Sequence, residues 1–160
     1  MNVLLLDTIN KIEVYAEIKS ISKKEFPKLK DGWKFTWSKL FESNAQFYGV
    51  IYKDKLQGII KLRFDVEGFV EMSNLELSPS NFGSKGRFEN VSGCLIAYAC
   101  LKSFELGQGN YRGYISFKSK GELIEHYAYK YYAELVFREQ MIIAPTNGLR
   151  LIQEYLKLEL

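Results

Sequence analysis

The sequence has few of the residues that bind metals or form disulfides. Its 160 residues include one histidine, His126, and two cysteines, Cys94 and Cys100. A structural zinc site needs four nitrogen or sulfur ligands, so these three side chains could not complete one and no metal is expected. The cysteines are six positions apart in one expected helix, on different faces, and should not pair. Unpaired thiols in an apolar segment favour a reducing, cytoplasmic location.

Long apolar runs and a strong net charge are also missing. No window approaches the ~20 apolar residues of a membrane helix, and Asp7 interrupts the first apolar run too early for a signal peptide. The net charge of +3 does not argue for a nucleic-acid partner. What is present, 47% hydrophobic and 15% aromatic residues, excludes a disordered chain. We expect a soluble, cytoplasmic, single domain covering residues 1–160, with no membrane partner.

Hydrophobic periodicity predicts an α/β (α+β) protein. Residues 12–18 fit either a strand or the first turns of a helix. The other predicted strands are 46–52, 56–64, 69–77, 111–118 and 135–144, and the predicted helices are 37–43, 90–106, 121–133 and 146–158. The front half therefore forms an antiparallel meander, whereas the second half alternates helix and strand. This order predicts a mixed, mostly antiparallel central sheet flanked by helices.

A basic, glycine-rich loop precedes the helix that starts near Asn90, a plausible N-cap. Gly83, Lys85, Gly86 and Arg87 lie in this loop. A helix N-terminus presents unpaired N–H groups and the positive end of the helix dipole, so it can bind a phosphate. Glycines let the backbone approach such a ligand closely. The alternative is an ordinary strand–helix connection with solvated basic side chains.

Residues 75–79 (LELSP) and 87–96 (RFENVSGCLI) resemble the acetyl-CoA motif of the GNAT superfamily of N-acetyltransferases. In that motif a strand ends near a proline, and Gln/Arg-x-x-Gly-x-Gly/Ala precedes a helix that opens with two aliphatic residues. Arg87 matches the first position and the aliphatic pair is present. Asn90 and Ser92 stand where the family usually has glycines, so the pyrophosphate-binding motif is degenerate.

The resemblance covers roughly residues 56–144 and implies a GNAT-like fold with acetyl-CoA as cosubstrate. It places the pyrophosphate on backbone amides at the helix start, with charge from Arg87 and Lys85. Amides around Leu77 would hold the pantetheine and polarise the thioester carbonyl. The cofactor-binding residues that it implies are Leu75, Leu77, Arg87, Asn90, Val91, Ser92 and Gly93.

Acetyl transfer to an amine also needs a base and an acid. Glu76 and Glu71 lie on opposite faces of one strand. Glu76 is nearer the expected reaction centre and is our candidate base, although a solvated glutamate is the alternative for either. By resemblance, Tyr127 protonates the departing thiolate. Three other tyrosines crowd the same segment, Tyr129, Tyr131 and Tyr132, and most of this group must be packing or surface residues.

The resemblance therefore implies an N-acetyltransferase that moves an acetyl group to an unidentified primary amine of a small molecule or peptide. The alternative is a catalytically inactive GNAT-fold binding protein. A third reading takes Trp33, Phe35 and Trp37 with nearby lysines as a nucleic-acid platform, but we favour core packing or the wall of the acceptor pocket. The helix at 146–158 could pack on the sheet or on a second subunit, which leaves a homodimer open.

Overall fold

The computed structural model describes all 160 residues and contains nine strands and three α-helices. The last helix continues into a π-helical turn, Ile152–Leu156, and short 3-10 turns occupy much of residues 23–40. None of the helices combines the length and apolar character needed to span a membrane. The strands are β1 (Asn2–Asp7), β2 (Ile12–Ser20), β3 (Ala45–Tyr52), β4 (Lys55–Phe64), β5 (Val70–Leu77), β6 (Phe88–Glu89), β7 (Ile115–Lys118), β8 (Glu134–Phe137) and β9 (Gln140–Ile143), and the helices are α1 (Val91–Leu106), α2 (Ile124–Tyr131) and α3 (Pro145–Leu151).

The nine strands form one sheet in the order β6-β1-β2-β3-β4-β5-β7-β9-β8. β1 pairs antiparallel with both β2 and β6, and β9 pairs antiparallel with both β7 and β8. β5 and β7 pair in parallel, and their register covers two pairs, Val70↔Ile115 and Glu71↔Ser116. The prediction of a mixed, mostly antiparallel sheet with helices is confirmed.

The chain forms two compact units. The first contains residues 1–61 and 74–95, and the second contains residues 62–73 and 96–160. β4, β5 and α1 each contribute residues to both units, and the expectation of a single domain stays a prediction. The core of the first unit includes a cluster of buried side chains from the segment before β3 and from the neighbouring strands, namely Ile21, Phe26, Trp33, Trp37, Phe47 and Ile59.

Several predicted elements differ from the structure near turns. The strand predicted at 135–144 is the hairpin β8–β9, because Arg138 adopts a left-handed φ of 50° and reverses the chain. The strand predicted at 111–118 starts only at Ile115, since Gly109–Tyr111 forms a 3-10 turn. The helix predicted at 37–43 is a 3-10 turn, Trp37–Leu40. Residues 12–18 are a strand, and β6 was not predicted because it has only two residues.

Gly58 lets the start of α1 lie directly against β4. A Cβ at this position would stand 2.7 Å from Val91 Cγ1 and 3.1 Å from Leu95 Cδ1, both in the first two turns of the helix. The first distance is too short for carbon–carbon contact and the second is tight, so a side chain here would force the helix residues to shift. Close packing here fixes the position of the helix N-terminus within the first unit.

We expect Gly58→Ala to destabilise the protein by about 1–3 kcal/mol, because the added methyl overpacks the contact with α1. Urea unfolding monitored by circular dichroism measures this change. Gly121→Ala is the matched control: the nearest heavy atom to its Cβ would be Glu139 Oε2 at 3.8 Å, so we expect little effect. Equal stability of the two variants would contradict the packing explanation.

Candidate functional site

The loop between β5 and α1 is organised by the buried side chain of Asn81, which is 3% exposed. Its amide nitrogen lies 3.1 Å from the Gln57 carbonyl oxygen, 2.9 Å from Gln57 Oε1 and 3.0 Å from Ser78 Oγ. Its Oδ1 accepts a hydrogen bond of 2.9 Å from the Phe88 N–H. One side chain therefore joins β4, the loop and β6. Asn81 was not predicted as a site residue, because its only signal in the sequence is its place two residues after the strand-ending Pro79.

Two amides of the glycine-rich part of the loop donate to carbonyl groups of the loop itself. The Gly86 N–H donates to the Gly83 carbonyl and the Arg87 N–H donates to the Ser80 carbonyl. The Thr8 hydroxyl lies 2.9 Å from both the Gly86 and the Arg87 carbonyl oxygens. A Cβ on Gly86 would stand 2.6 Å from a backbone oxygen of the same loop. Gly86 is therefore needed for the packing of the loop itself.

The start of α1 provides backbone N–H groups that the helix does not use. The first helical hydrogen bond runs from the Cys94 N–H to the Asn90 carbonyl, 2.9 Å. The amides of Val91, Ser92 and Gly93 precede it and have no acceptor within the helix. Asn90 has a φ of 77°, a left-handed conformation that asparagine tolerates better than most residues. This explains how asparagine occupies a position where the resembled motif has glycine, and the helix begins directly after it, as predicted.

Arg87 forms a two-pronged ion pair with Asp7. Its Nε lies 3.1 Å from Asp7 Oδ1 and its Nη2 lies 3.0 Å from Oδ2. Asp7 is 2% exposed and also accepts hydrogen bonds from the Ile9 and Asn10 amides in the turn after β1. The guanidinium, helped by these amides, holds the pKa of Asp7 well below its ordinary value. The side chain of Arg87 is 40% exposed, so its role toward a pyrophosphate stays a prediction.

We expect the Asp7–Arg87 pair to stabilise the protein at neutral pH and to lose its effect in acid. A carboxyl whose pKa is lowered by folding contributes stability above its unfolded pKa, here near 3.8, and loses it as the pH falls further. Thermal unfolding of wild type and Asp7→Asn should differ at pH 7, and the difference should shrink below about pH 4. The control Asp54→Asn, in the exposed β3–β4 turn, should show no such convergence. A pH-independent difference for Asp7→Asn would contradict the linkage.

Glu76, the candidate base, holds the segment that precedes β3. Its carboxylate accepts hydrogen bonds from the Lys34 N–H at 2.6 Å, the Phe35 N–H at 3.2 Å and Trp37 Nε1 at 2.9 Å. Glu71, the less favoured candidate, forms an ion pair of 3.6 Å with Arg63. Glu76 therefore joins the end of β5 to residues 33–37, which we call the aromatic segment. Its role as a base stays a prediction.

The end of β5 carries Leu75 and Leu77, whose amides were predicted to contact the pantetheine and the thioester. The parallel register with β7 stops at Glu71, so the last six residues of β5 extend beyond it. Both leucines are half-buried, and the adjoining Ser78 N–H donates to the Gln57 carbonyl of β4 at 3.0 Å. The structure thus brings the end of β5, Glu76 and the start of α1 into one compact unit.

The aromatic segment itself borders a cavity of about 530 Å³ lined by residues 23, 24, 26–29 and 36–38. Trp37 belongs to this lining but is fully buried, and the role of the segment as a wall of the acceptor pocket stays a prediction. Trp33 and Phe35 do not belong to the lining. Both tryptophans are buried and pack with the core of the first unit, so their rings are not presented for stacking on bases. The prediction of core packing is confirmed for these two residues.

Tyr127, the candidate acid, lies on α2 in the second unit. Its ring packs edge-on against Phe117 at 5.0 Å between centroids, and its hydroxyl has no hydrogen-bond partner. Burial raises its pKa, so the hydroxyl keeps its proton at neutral pH. The other tyrosines are otherwise placed: Tyr131 is buried, Tyr129 is 90% exposed, and the Tyr132 hydroxyl donates to Glu154. Among these four tyrosines, Tyr127 is therefore the one that is half-buried and whose hydroxyl makes no hydrogen bond.

Neither cysteine adds a nucleophile. Both are free and buried in α1, so the prediction that they do not pair is confirmed. Burial raises the pKa of the Cys100 thiol to about 12, which keeps it protonated and unreactive. The structure brings together no cluster of three His, Cys, Asp or Glu side chains that could hold a metal ion.

Comparison with solved structures finds similar folds at low sequence identity. A chimera of the spermidine N-acetyltransferase SpeG from Vibrio cholerae and hSSAT has a TM-score of 0.55 and 12% identity, over 84% of this chain and 98% of that one. A Bacillus subtilis acetyltransferase in complex with CoA has a TM-score of 0.52 and 13% identity, over 79% and 95%. The KacTA–DNA complex has a TM-score of 0.51 and 12% identity, over 72% and 77%. No protein-family model and no curated protein matches the sequence.

Proposed function

We propose that this chain, which has the fold of the GNAT N-acetyltransferases, transfers an acetyl group from acetyl-CoA to a primary amine. The observation that carries the proposal is the start of α1, where left-handed Asn90 leads into three amides without helical acceptors. These amides and the helix dipole suit the pyrophosphate of the cosubstrate. The similar Bacillus subtilis acetyltransferase was solved with CoA, and the same elements occur here in the order that the resemblance predicts.

In this proposal the backbone at the end of β5 supplies the electrophilic assistance. The amides near Leu77 donate to the thioester carbonyl oxygen and stabilise the negative charge that develops on it. The neutral amine nitrogen attacks the carbonyl carbon, a C–N bond forms and the C–S bond breaks. The departing thiolate takes a proton from the hydroxyl of Tyr127, which is protonated at neutral pH.

Glu76 acts at the acceptor side. Its carboxylate anchors Lys34, Phe35 and Trp37, and we propose that it accepts the proton of the incoming amine through water. Because three donors already engage this carboxylate, the alternative of a catalytically inactive binding protein is also supported. Thiol release from acetyl-CoA over a broad panel of amines decides between them: binding without any release would favour the inactive protein.

We expect Ser92→Asp to weaken acetyl-CoA binding at least tenfold while leaving the free protein as stable or slightly more stable. A carboxylate in the first turn of α1 repels the pyrophosphate, yet it interacts favourably with the helix dipole. The thermal shift measures both effects, since saturation at ~100 times Kd stabilises wild type by ~2.7 kcal/mol.

Ser92→Asn, which has a similar size and no charge, is the matched control and should bind acetyl-CoA nearly as wild type does. Unchanged affinity in Ser92→Asp would remove the start of α1 from the proposed site. The absence of any shift with millimolar acetyl-CoA would overturn the proposed function.

We expect Tyr127→Phe to slow turnover by about 10²-fold or more with little change in acetyl-CoA affinity, since a general acid contributes ~10²–10⁴-fold. The phenyl ring keeps the packing on Phe117. Steady-state thiol release gives kcat, and a titration gives the affinity. Tyr129→Phe, at an exposed position of the same helix, should leave kcat unchanged. Unaltered kcat in Tyr127→Phe would exclude this residue as the acid.

A further inference from the structure

The cavity beside the aromatic segment has charged lining residues of only one sign. Its volume of about 530 Å³ falls in the range of small-molecule sites, ~300–1,000 Å³. All of its charged lining residues are lysines: Lys23, Lys24 and Lys28. Pro27 and Leu29, which are not buried, add apolar surface to the lining, and the buried rings of Phe26 and Trp37 lie behind it. The cavity therefore combines apolar surface with a concentration of positive charge.

The charge of the surrounding segment is not balanced locally. Residues 22–40 contain six lysines and two acidic residues, a net charge of +4 against +3 for the whole chain. Of the two acids, Glu25 is engaged by the Ser22 N–H at 2.9 Å and the Ser22 hydroxyl at 2.7 Å, with Lys19 at 3.9 Å. Asp31 is not part of the lining. Glu25 also interacts electrostatically with Lys24, but neither carboxylate belongs to the lining, and Lys23 and Lys28 have no carboxylate within ion-pair distance.

The cavity is also tied to the end of β5. Trp37 in its lining donates from Nε1 to Glu76 Oε1 at 2.9 Å, and Glu76 directly precedes Leu77. The Nζ of Lys23 lies 5.1 Å from the centroid of Phe41, which is outside the lining. The three lysines thus line the same cavity as Trp37, which Glu76 binds next to the proposed position of the thioester.

We propose that the acceptor is a small anionic amine, one that carries a carboxylate or phosphate besides its amino group. This inference rests on the proposed acetyl transfer. The ammonium groups of Lys23, Lys24 and Lys28 attract the acidic group, Pro27 and Leu29 contact the apolar part, and the amine points toward the end of β5. A polycation is repelled by the same three charges. The chain therefore differs in acceptor class from the similar spermidine N-acetyltransferase.

Three dipeptides with the same amine test the charge preference: Phe-Glu, Phe-Gln and Phe-Lys, which carry one net negative charge, none and one net positive charge. We expect Phe-Glu to bind at least tenfold more tightly than Phe-Lys, with Phe-Gln between them, and the preference to fall as salt is added. Calorimetric titration without acetyl-CoA measures this binding apart from turnover. Equal affinities, no binding by any dipeptide, or a preference for Phe-Lys would overturn the inference.

The triple variant Lys23→Gln, Lys24→Gln, Lys28→Gln should remove the preference. The control Lys30→Gln, Lys39→Gln, Lys120→Gln changes the net charge equally at exposed positions outside the cavity and should retain it. A preference that survives in the cavity variant would overturn the assignment to these lysines.

Thiol release is measured separately with the three dipeptides and with spermidine. Faster release with spermidine than with Phe-Glu would overturn the anionic acceptor. A binding preference with no thiol release from any amine would instead overturn the acetyl transfer alone, so the two failures are distinguishable.

Discussion

The hydrogen bonds of Asn81 are the interaction on which the candidate site depends. Its side chain satisfies a carbonyl of β4 and an amide of β6 while it is excluded from water, and an unmatched buried polar group at either place would cost about 1–3 kcal/mol. These contacts hold both ends of the loop around it, and the Gly86 and Arg87 amides donate within the loop. The proposed anion-binding site is the start of α1, which Gly58 allows to approach β4.

Two charged residues that were predicted to bind the cosubstrate or act in catalysis form structural contacts. Arg87 neutralises the buried Asp7, and Glu76 anchors the segment that contains Trp37. Each arrangement brings two distant parts of the sequence together through a charge-assisted hydrogen bond, which is stronger than a neutral one. The same arrangements position the elements of the proposed site: the first holds the loop before α1, and the second holds the wall of the lysine-lined cavity to the end of β5.

The regular elements were predictable because their periodicity is local. The β3–β4 hairpin, β5 and α1 follow from alternation, turn residues and the N-cap position of Asn90 within their own segments. The hairpin β8–β9 was missed because Arg138 is not a typical turn residue, and β6 because two residues give no period. The choice among the clustered tyrosines could not be made either, since the spacing on α2 does not reveal that Tyr131 is buried and that Tyr132 binds Glu154.

By itself the sequence determined the class of fold, the position of the loop–helix junction and the scarcity of histidine and cysteine, because these follow from composition and short-range pattern. Only the tertiary structure decided which polar groups form hydrogen bonds and ion pairs within the protein. Whether Arg87 meets Asp7, Glu76 meets Trp37, and three lysines border one cavity depends on contacts between residues far apart in the chain. Such contacts produce no repeating pattern in the sequence, because each one involves a single pair of residues that are far apart in the chain.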